Sequence, residues 1–279
     1  MHLLLGDPRD LCCVAVREAL IERGHETQLS PNPLAPPSRL SLWLDDDRPA
    51  SSLAWDAQPR LRDGDLAAVL VLGPATVDPA GWKPEDLAYV QAETQAALLA
   101  WLWSLECPVV NRYPAAVWYR PRPPLLAWHG LLRRSGLPTL DTVVTNVEAE
   151  ARAFGKRIGG AVYGPLTSDT RYLVTSENDW HGLAALLRVT PACLSPPHGE
   201  ARPVGVVGEQ VIWDGAPVAE LEPALRRFAA ALGLDCMQLA LAPTAAGPAV
   251  VAVETRPYLE QFGDAARAAI VDAVVGLLT

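Results

Sequence analysis

An acidic and a basic residue directly follow one of the most apolar segments of the chain. In VVAVETRPYL, residues 250–259, four apolar residues lead into Glu254 and Arg256. A carboxylate at the end of a strand can ligate a cation or pair with a cationic side chain, and a guanidinium can hold a carboxylate or phosphate through two parallel hydrogen bonds. We interpret Glu254 as an ion-pair residue, for which Arg256 is an available partner.

The basic residues that could hold an anion are nearly all arginines. Only Lys83 and Lys156 among the 23 basic residues are lysines, so a phosphate site that depends on lysine has two candidates. Arg202 and Arg256 are the arginine candidates, and the alternative for both is a solvated surface position. Arg256 is the better candidate, because it follows an apolar strand.

Two aspartates and two cysteines follow the first strand candidate, HLLLG. Asp7 and Asp10 lie where α/β sheets bind ligands, but an aspartate before a helix is more often its cap, and we predict capping. Cys12 and Cys13 come next, at a helix N-terminus, where the helix dipole can activate a thiol. We interpret them as packing residues instead, since neither has a histidine partner nearby in the sequence.

The cysteines and histidines show no spacing typical of a metal site or a disulfide framework. The five cysteines lack CxxC spacing, and the five histidines lack HxH and HExxH spacing. A zinc site would therefore have to be assembled from distant segments, and we predict no metal ligands. An odd number of scattered cysteines favours reduced thiols in the cytoplasm.

The charge balance and the hydropathy pattern exclude several classes of partner. The net charge of -9 repels phosphate backbones and anionic lipid, so we expect neither nucleic acid nor a membrane as a partner. Charges interrupt the N-terminal segment MHLLLGDPRDLCC, which therefore does not resemble a secretory signal. No segment approaches the roughly 20 uninterrupted apolar residues of a spanning helix. These features predict a cytoplasmic protein.

The first half of the chain has the pattern of an α/β domain. A strand at HLLLG, a helix over LCCVAVREALIERG that ends at Gly24, and a strand at HETQLS form a βαβ opening, which predicts a parallel sheet. Residues 41–55, SLWLDDDRPASSLAW, predict a small hairpin with two exposed tryptophans. The longest helix of this half begins near Pro84.

The second half of the chain has an α+β pattern. ARPVGVVGEQVIWDG predicts a hairpin that turns at Gly208, and LDCMQLALA and AVVAVETRP predict two paired strands. Helices are predicted between these strands and over DAARAAIVDAVVGLL at the end of the chain. Antiparallel strands with helices on one side are typical of an α+β lobe.

Five phrases, in this order, resemble the ATP-grasp superfamily, especially the ribosomal-protein glutamate ligases and the microviridin-type peptide ligases. They are GDPRD, CPVVNRYPAA, RRSGLPTLDTVVTN, PVGVVGEQVIW and ALGLDCMQLALAPTAAGPAVVAVETRP, and together they span nearly the whole chain. The resemblance implies an N-terminal α/β domain over residues 1–113, a central α+β nucleotide lobe over 114–215 and a C-terminal α+β lobe over 216–279. It also implies an ATP-dependent reaction that joins a carboxylate to an amine, with magnesium and basic residues on the phosphates.

The chain departs from this family pattern at the residues that would hold ATP and magnesium. The resemblance expects a lysine where Gly164 stands and an arginine next to Arg202, at Pro203. It expects a magnesium-binding carboxylate at position 240, where this chain has Ala240, and an asparagine at position 256, where it has Arg256. Arginine is always protonated and has no lone pair to offer a cation. We therefore expect an ATP-grasp-like scaffold that lacks ordinary magnesium-ATP ligase chemistry.

The resemblance and its departures leave two main hypotheses. In the first, the chain is a degenerate ATP-grasp-like protein without a cofactor, which binds or scaffolds a peptide or a partner enzyme in modified-peptide biosynthesis. In the alternative, it is an active carboxylate-amine ligase with displaced phosphate ligands, and Lys156, Arg202, Glu254 and Arg256 bind ATP and magnesium. A weaker third hypothesis is a small-molecule enzyme that uses a cysteine or histidine in the same cleft. No catalytic residue is assigned.

Aromatic residues predict where a protein or peptide partner would bind. Trp101 and Trp103 fall on different sides of one predicted helix, so at least one should contact something other than the core of its own domain. A tryptophan-rich surface suits a peptide or protein interface, although core packing accounts for these residues equally well. The amphipathic helix at the C-terminus is a second candidate interface and allows a homo-oligomer.

Overall fold

The computed structural model describes residues 1–34, 38–44, 49–55, 60–73, 77–119, 125–166, 170–245 and 247–279. The chain divides into two compact units. Unit 1 comprises Met1–Pro121, Gly205–Gln238 and Glu254–Thr279, and unit 2 comprises Arg122–Val204 and Leu239–Val253. Within the described residues, every helix is too short or too polar to cross a membrane. The three-domain division at residues 113 and 215 stays a prediction.

Unit 1 begins with the predicted βαβ element. Its elements up to residue 119 are β1 (His2–Leu5), α1 (Leu11–Glu22), β2 (Thr27–Ser30), β3 (Ser38–Leu44), β4 (Pro49–Trp55), β5 (Leu61–Arg62), β6 (Ala68–Val71), α2 (Pro84–Ser104), β7 (Val109–Val110) and α3 (Ala115–Trp118). Four of these strands form a parallel sheet in the order β2-β1-β6-β7. Strands β1 and β6 are buried along their whole length, as expected for a parallel sheet covered on both faces.

The predicted hairpin is also present in unit 1. Strands β3 and β4 pair in antiparallel register from Ser38 opposite Trp55 to Leu44 opposite Pro49, and β5 extends the sheet. The turn residues 45–48 and the side chain of Trp55 lie outside the described part of the chain. Trp43, the other tryptophan of the hairpin, is about half exposed, as predicted.

Unit 2 has the antiparallel α+β arrangement that its sequence predicts. Its elements before residue 200 are α4 (Leu125–Ser135), β8 (Val143–Thr145), α5 (Glu148–Ile158), β9 (Ala161–Gly164), β10 (Tyr172–Val174), α6 (Glu177–Leu187) and β11 (Ala192–Ser195). The strands form a sheet in the order β10-β9-β11-β8, with every pair antiparallel. Phe154 of α5 and Leu183 of α6 pack with Ala161 and Leu194 in the core on one face of this sheet.

The last third of the chain adds another sheet and two helices. The elements are β12 (Arg202–Val207), β13 (Gln210–Trp213), α7 (Glu222–Leu232), β14 (Cys236–Thr244), β15 (Gly247–Glu254) and α8 (Asp264–Leu278). The strand order is β13-β12-β14-β15, which includes both predicted strand pairs. Within unit 1, α8 packs against α1, and Ile270 and Val274 are fully buried in the same core as Val16 and Leu20. The C-terminal helix therefore covers apolar surface of its own chain.

Candidate functional site

Asp10 caps the first helix of unit 1, at the carboxyl end of β1. Its Oδ1 accepts hydrogen bonds from the backbone N–H groups of Cys12 at 2.9 Å and Cys13 at 3.1 Å, so the predicted cap is confirmed. Asp7 instead accepts hydrogen bonds from the backbone and the guanidinium of Arg9. The side-chain and backbone hydrogen bonds from Arg9 lower the pKa of Asp7 to about 2.

The two cysteines at this helix N-terminus are packing residues. Cys12 and Cys13 are fully buried and belong to the core of unit 1. Burial raises the pKa of Cys12 well above its ordinary value and raises that of Cys13 to about 12, with a further contribution from the charge of Asp10. Burial therefore disfavours the thiolate form of both residues, and the packing interpretation is confirmed.

Arg256 pairs with Asp10, 246 residues earlier in the chain. Its Nη1 donates to Asp10 Oδ2, and the side chains of the two residues are only 23% and 12% exposed. The guanidinium also lies over the ring of Tyr258, 4.5 Å from the centroid. Burial lowers the pKa of Arg256, but the hydrogen bond and the charge of Asp10 outweigh this effect and leave it above the usual value. The guanidinium is thus bound by a carboxylate of its own chain.

A buried amide fixes the backbone next to Arg256. Asn111 follows β7 and is fully buried; its Nδ2 donates to the carbonyl oxygens of Cys236 at 2.6 Å and Thr255 at 3.2 Å. Its Oδ1 accepts from the N–H of Cys236 at 2.7 Å. The hydroxyl of Tyr113 also donates to the Thr255 carbonyl, at 3.1 Å, and burial raises the pKa of that hydroxyl. These bonds hold the turn that carries Arg256 in one position.

The residues at the end of β15 do not fit a magnesium site of the family type. Glu254 is the last residue of the strand and is partly buried, and its second neighbour Arg256 contributes no lone pair. Magnesium is held in proteins by carboxylate and carbonyl oxygens with near-octahedral geometry. Within the part of the chain that the structure describes, no group of three or more His, Cys, Asp or Glu could hold a metal ion.

Unit 2 contains a separate pocket on the open face of its sheet. Strand residues alternate between two faces, and Ala192 and Leu194 of β11 enter the core while Cys193 and Ser195 face the pocket. The pocket is lined by Leu125, Leu126, His129, Thr139, Leu140, Thr142, Val162, Pro165, Leu166, Arg171, Cys193, Ser195, His198 and Val251. It combines an apolar wall with hydroxyl, thiol, imidazole and guanidinium groups.

Arg171 occupies the space beside Gly164, where the resemblance expects a lysine. A Cβ built on Gly164 would overlap the carbonyl oxygen of Thr170 and would lie 2.8 Å from Nη1 of Arg171. Only glycine therefore allows the segment of Thr170 and Arg171 to pass this close to β9. The guanidinium of Arg171 therefore lies beside the strand position at which the resemblance expects a lysine.

The other two cationic residues of the predicted cofactor-binding set lie elsewhere in unit 2. Lys156 lies on α5, the helix that precedes β9, as predicted. Its side chain is exposed and lines a recess with Arg152, Glu177 and Trp180. It is not among the residues that line the pocket of Arg171. Arg202 is exposed at the first position of β12. It stays a prediction that one cofactor site is formed by Lys156, Arg202, Glu254 and Arg256.

Sequence reasoning missed the residues that the fold brings to these two places. Arg171, His129 and His198 were not assigned a role, and Asp10 was predicted only as a cap. The alternation in ACLS, residues 192–195, was a signal for a strand with one polar face. The pairing of Asp10 with Arg256 had no local signal, because the residues are 246 positions apart.

The topology of both units is that of the ATP-grasp ligases. No family model matches the sequence, and no curated protein matches it significantly. Solved structures match over nearly the whole chain at low sequence identity, and this likeness establishes the ATP-grasp fold.

Three of the similar structures are complexes with a peptide or a precursor. The macrocyclase MdnC from Microcystis aeruginosa MRC, bound with precursor peptide MdnA, has a TM-score of 0.78 at 15% identity, and 99% of this chain and 98% of that one are covered. The ATP-grasp ligase PsnB, complexed with minimal precursor, Mg and ADP, has a TM-score of 0.75 at 20% identity, with coverage of 99% and 98%. A Chryseobacterium gregarium RiPP-associated ATP-grasp ligase, in complex with ADP and a leader and core peptide, has a TM-score of 0.77 at 14% identity, with coverage of 99% and 96%.

Proposed function

We propose that this chain is an ATP-grasp-fold protein that binds a peptide in modified-peptide biosynthesis and does not catalyse magnesium-ATP-dependent ligation. The observation that carries the proposal is the pairing of Arg256 with Asp10. The resemblance expects a metal-ligating asparagine at position 256, and the chain instead has a cation that is bound internally.

Electrostatics explains why this substitution opposes the ligase reaction. Phosphoryl transfer spreads negative charge over the phosphate oxygens, and the metal that neutralises this charge must be bound before the reaction. A permanently protonated guanidinium two residues after Glu254 repels a divalent cation there. The alternative, in which Lys156, Arg202, Glu254 and Arg256 bind ATP and magnesium, would require Arg256 to leave Asp10 and Tyr258.

A peptide partner is supported by the similar structures and by an exposed edge strand. MdnC, PsnB and the Chryseobacterium gregarium ligase were each solved with a precursor, leader or core peptide. In this chain, β10 is the end strand of its sheet, and Tyr172 and Leu173 are 51% and 55% exposed. Consecutive strand residues point to opposite faces, so both faces of β10 present apolar surface on which an extended peptide can add a strand.

The absence of ligase chemistry is tested by thermal shift and calorimetry with magnesium-ATP. A ligand that binds only the folded protein at a hundredfold excess over its Kd stabilises it by about 2.7 kcal/mol. We expect no stabilisation. A clear shift that is weakened by Glu254→Gln would instead support the active ligase.

Peptide binding is tested by fluorescence anisotropy with labelled synthetic peptides encoded by short reading frames next to the gene. We expect Leu173→Asp to weaken binding at least about tenfold, because it places a charge on the contact surface. Val189→Asp is the matched control, since Val189 is 85% exposed in the same unit and lies outside β10. If no such peptide binds, or if the two variants bind equally well, the peptide proposal is wrong. The cytoplasmic location and a homo-oligomeric state stay predictions.

A further inference from the structure

The sheet of β3, β4 and β5 in unit 1 has one inner and one outer face. Successive strand residues point to opposite faces, and residues paired across strands share a face. Ser51 and Leu53 of β4 are buried, and the Ser51 hydroxyl accepts a hydrogen bond from Trp101 of α2 at 2.8 Å, so this set of residues forms the inner face. Arg39 and Trp43 of β3 belong to the other set and are exposed. The outer face is therefore accessible from solvent.

This outer face is basic, in contrast to the chain as a whole. The net charge of the chain is -9, whereas the sequences of β3, β4 and β5 contain Arg39 and Arg62 and no Asp or Glu. Arg62 pairs with Ser52, which lies between the two inner residues of β4 and so on the outer face. Arg60 precedes β5 and contacts the same face. We call the arginine face the surface formed by the exposed residues Arg39, Trp43, Arg60 and Arg62.

Arg60 is held across the arginine face by two contacts. Its Nε donates a hydrogen bond to Oγ of Ser52 at 2.6 Å, and its Cζ lies 5.2 Å from the centroid of the Trp43 ring. Ser52 is only 4% exposed although it belongs to the outer face, which agrees with a position beneath the Arg60 side chain. Neither contact uses the Nη groups of Arg60. Two N–H donors thus remain in the fork geometry that matches a carboxylate.

The described acidic residues that follow β5 are engaged away from Arg60. Asp63 accepts hydrogen bonds from the backbone N–H of Ser51 at 2.7 Å and from its hydroxyl, on the inner side of the sheet. Asp65 accepts from the backbone N–H of Arg62 at 2.7 Å. The three aspartates of residues 45–48 lie outside the described part of the chain and are not part of this surface. A carboxylate of a partner can therefore approach the Arg60 guanidinium without displacing Asp63 or Asp65.

We propose that the arginine face binds an acidic peptide segment of a partner protein, with one carboxylate on the Nη groups of Arg60. Arg39 and Arg62 supply further positive charge, and Trp43 positions the Arg60 guanidinium. In an extended peptide, alternate side chains share one face at a spacing of about 6.6 Å, so alternate Asp or Glu residues can all face the sheet.

Charge favours a short acidic peptide over a nucleic acid strand. Each additional phosphate of a longer strand meets the net negative charge of the chain outside this small surface. The arginine face lies in unit 1 and uses no residue of β10. The proposal therefore depends neither on the peptide contact at β10 nor on the absence of ligase chemistry.

The experiment measures fluorescence anisotropy of two tetramethylrhodamine-labelled peptides with the full chain at low salt. One peptide alternates Glu and Gly, and the other alternates Gln and Gly. We expect only the Glu peptide to bind, and its affinity to fall as salt is added, because salt screens exposed charges. Arg60→Gln should weaken binding at least about tenfold, as for the loss of a charge-assisted hydrogen bond. Arg60→Lys, which keeps the charge without the planar guanidinium, should restore part of the affinity.

Three further variants separate the arginine face from general charge effects and from β10. Trp43→Leu keeps every charge but removes the ring that positions Arg60, so it should weaken binding about threefold. Arg17→Gln removes an exposed arginine of α1 in the same unit, outside the sheet, and should have little effect. Leu173→Asp in β10 should likewise leave binding of the Glu peptide nearly unchanged. Circular dichroism and melting temperature establish that each variant is folded.

Four results would overturn the proposal. They are equal binding of the Glu and Gln peptides, no binding of the Glu peptide, equal effects of Arg60→Gln and Arg17→Gln, and tighter binding of labelled oligothymidine than of the Glu peptide. The last result would assign the surface to a nucleic acid strand instead. The magnesium-ATP titration and the β10 variants are read out with other ligands, so these results leave their interpretation unchanged.

Discussion

Replacing Arg256 by glutamine tests whether the Asp10 pair stabilises unit 1. Surface ion pairs contribute about 0 to 1 kcal/mol, and removal of one partner from a fully buried pair costs about 3 to 5 kcal/mol. The side chains of Arg256 and Asp10 are 23% and 12% exposed, which places this pair between the two cases. Loss of the contact with the Tyr258 ring adds a further fraction of a kilocalorie. We expect Arg256→Gln to lower the free energy of unfolding by about 2 to 3 kcal/mol.

A double-mutant cycle isolates the interaction between the two residues. Asp10→Asn removes the charge but keeps an oxygen that can accept from the N–H groups of Cys12 and Cys13, so the helix cap is preserved. The cycle of Asp10→Asn and Arg256→Gln should give a coupling energy of about 1 to 2 kcal/mol.

The assay for this cycle is urea denaturation followed by tryptophan fluorescence, to which the buried Trp101 and Trp118 of unit 1 contribute. Arg9→Gln is the matched control, since Arg9 also pairs with an aspartate but its side chain is 89% exposed; it should not change the midpoint measurably. A coupling energy below about 0.5 kcal/mol between Asp10 and Arg256 would refute the view that this pair holds the turn.

Three further predictions concern buried groups of unit 1 and the cysteines. Asn111→Leu should lower the free energy of unfolding in urea by about 3 kcal/mol or more, because it leaves buried backbone groups unpaired. Tyr113→Phe removes one hydrogen bond and should lower it by about 1 kcal/mol. Equal losses in the two variants would contradict the hydrogen-bond network around Asn111. Burial lowers the pKa of His2 in the folded protein below its ordinary value of 6.5. Just below pH 6.5 the unfolded chain therefore binds more protons at His2 than the folded protein does, and the free energy of unfolding should fall as the pH falls through that region. The drop in urea midpoint between pH 7.5 and 5.5 should be smaller in His2→Gln, and an unchanged drop would exclude His2 as its source. A thiol reagent should modify the partly exposed Cys193 faster than the buried Cys13 in the native protein, which peptide mapping of the labelled chain can check.

Local sequence patterns predicted most of the fold. The apolar runs of β1 and β6 predicted buried parallel strands, and Pro84 marked the start of α2, because these signals depend on neighbours in the chain. Trp101 and Trp103 were correctly placed on different sides of α2, since helical periodicity alone decides this; Trp101 is fully buried and Trp103 is 56% exposed.

The candidate sites were harder to predict than the elements that carry them. Glu254 was expected to be an available partner of Arg256, and the structure pairs the guanidinium of Arg256 with Asp10. That Arg256 stands in place of a metal ligand stays a prediction. Gly164 was interpreted as the loss of a cation, and the structure places the guanidinium of Arg171 beside it. Asp10 is 246 positions from Arg256, so no local pattern could predict their pairing. Arg171 is close to Gly164 in the sequence, but only the pairing of β9 with β10 brings the two together.

The sequence by itself determined the class of fold, the capping role of Asp10 and the presence of an arginine where a metal ligand is expected. These properties follow from residue type and from spacing over one or two turns or strands. Only the tertiary structure decided that Arg256 is bound to Asp10 and that Arg171 occupies the space beside Gly164. The physical reason is that charges interact through space, so the groups around an ionised side chain depend on how distant segments pack.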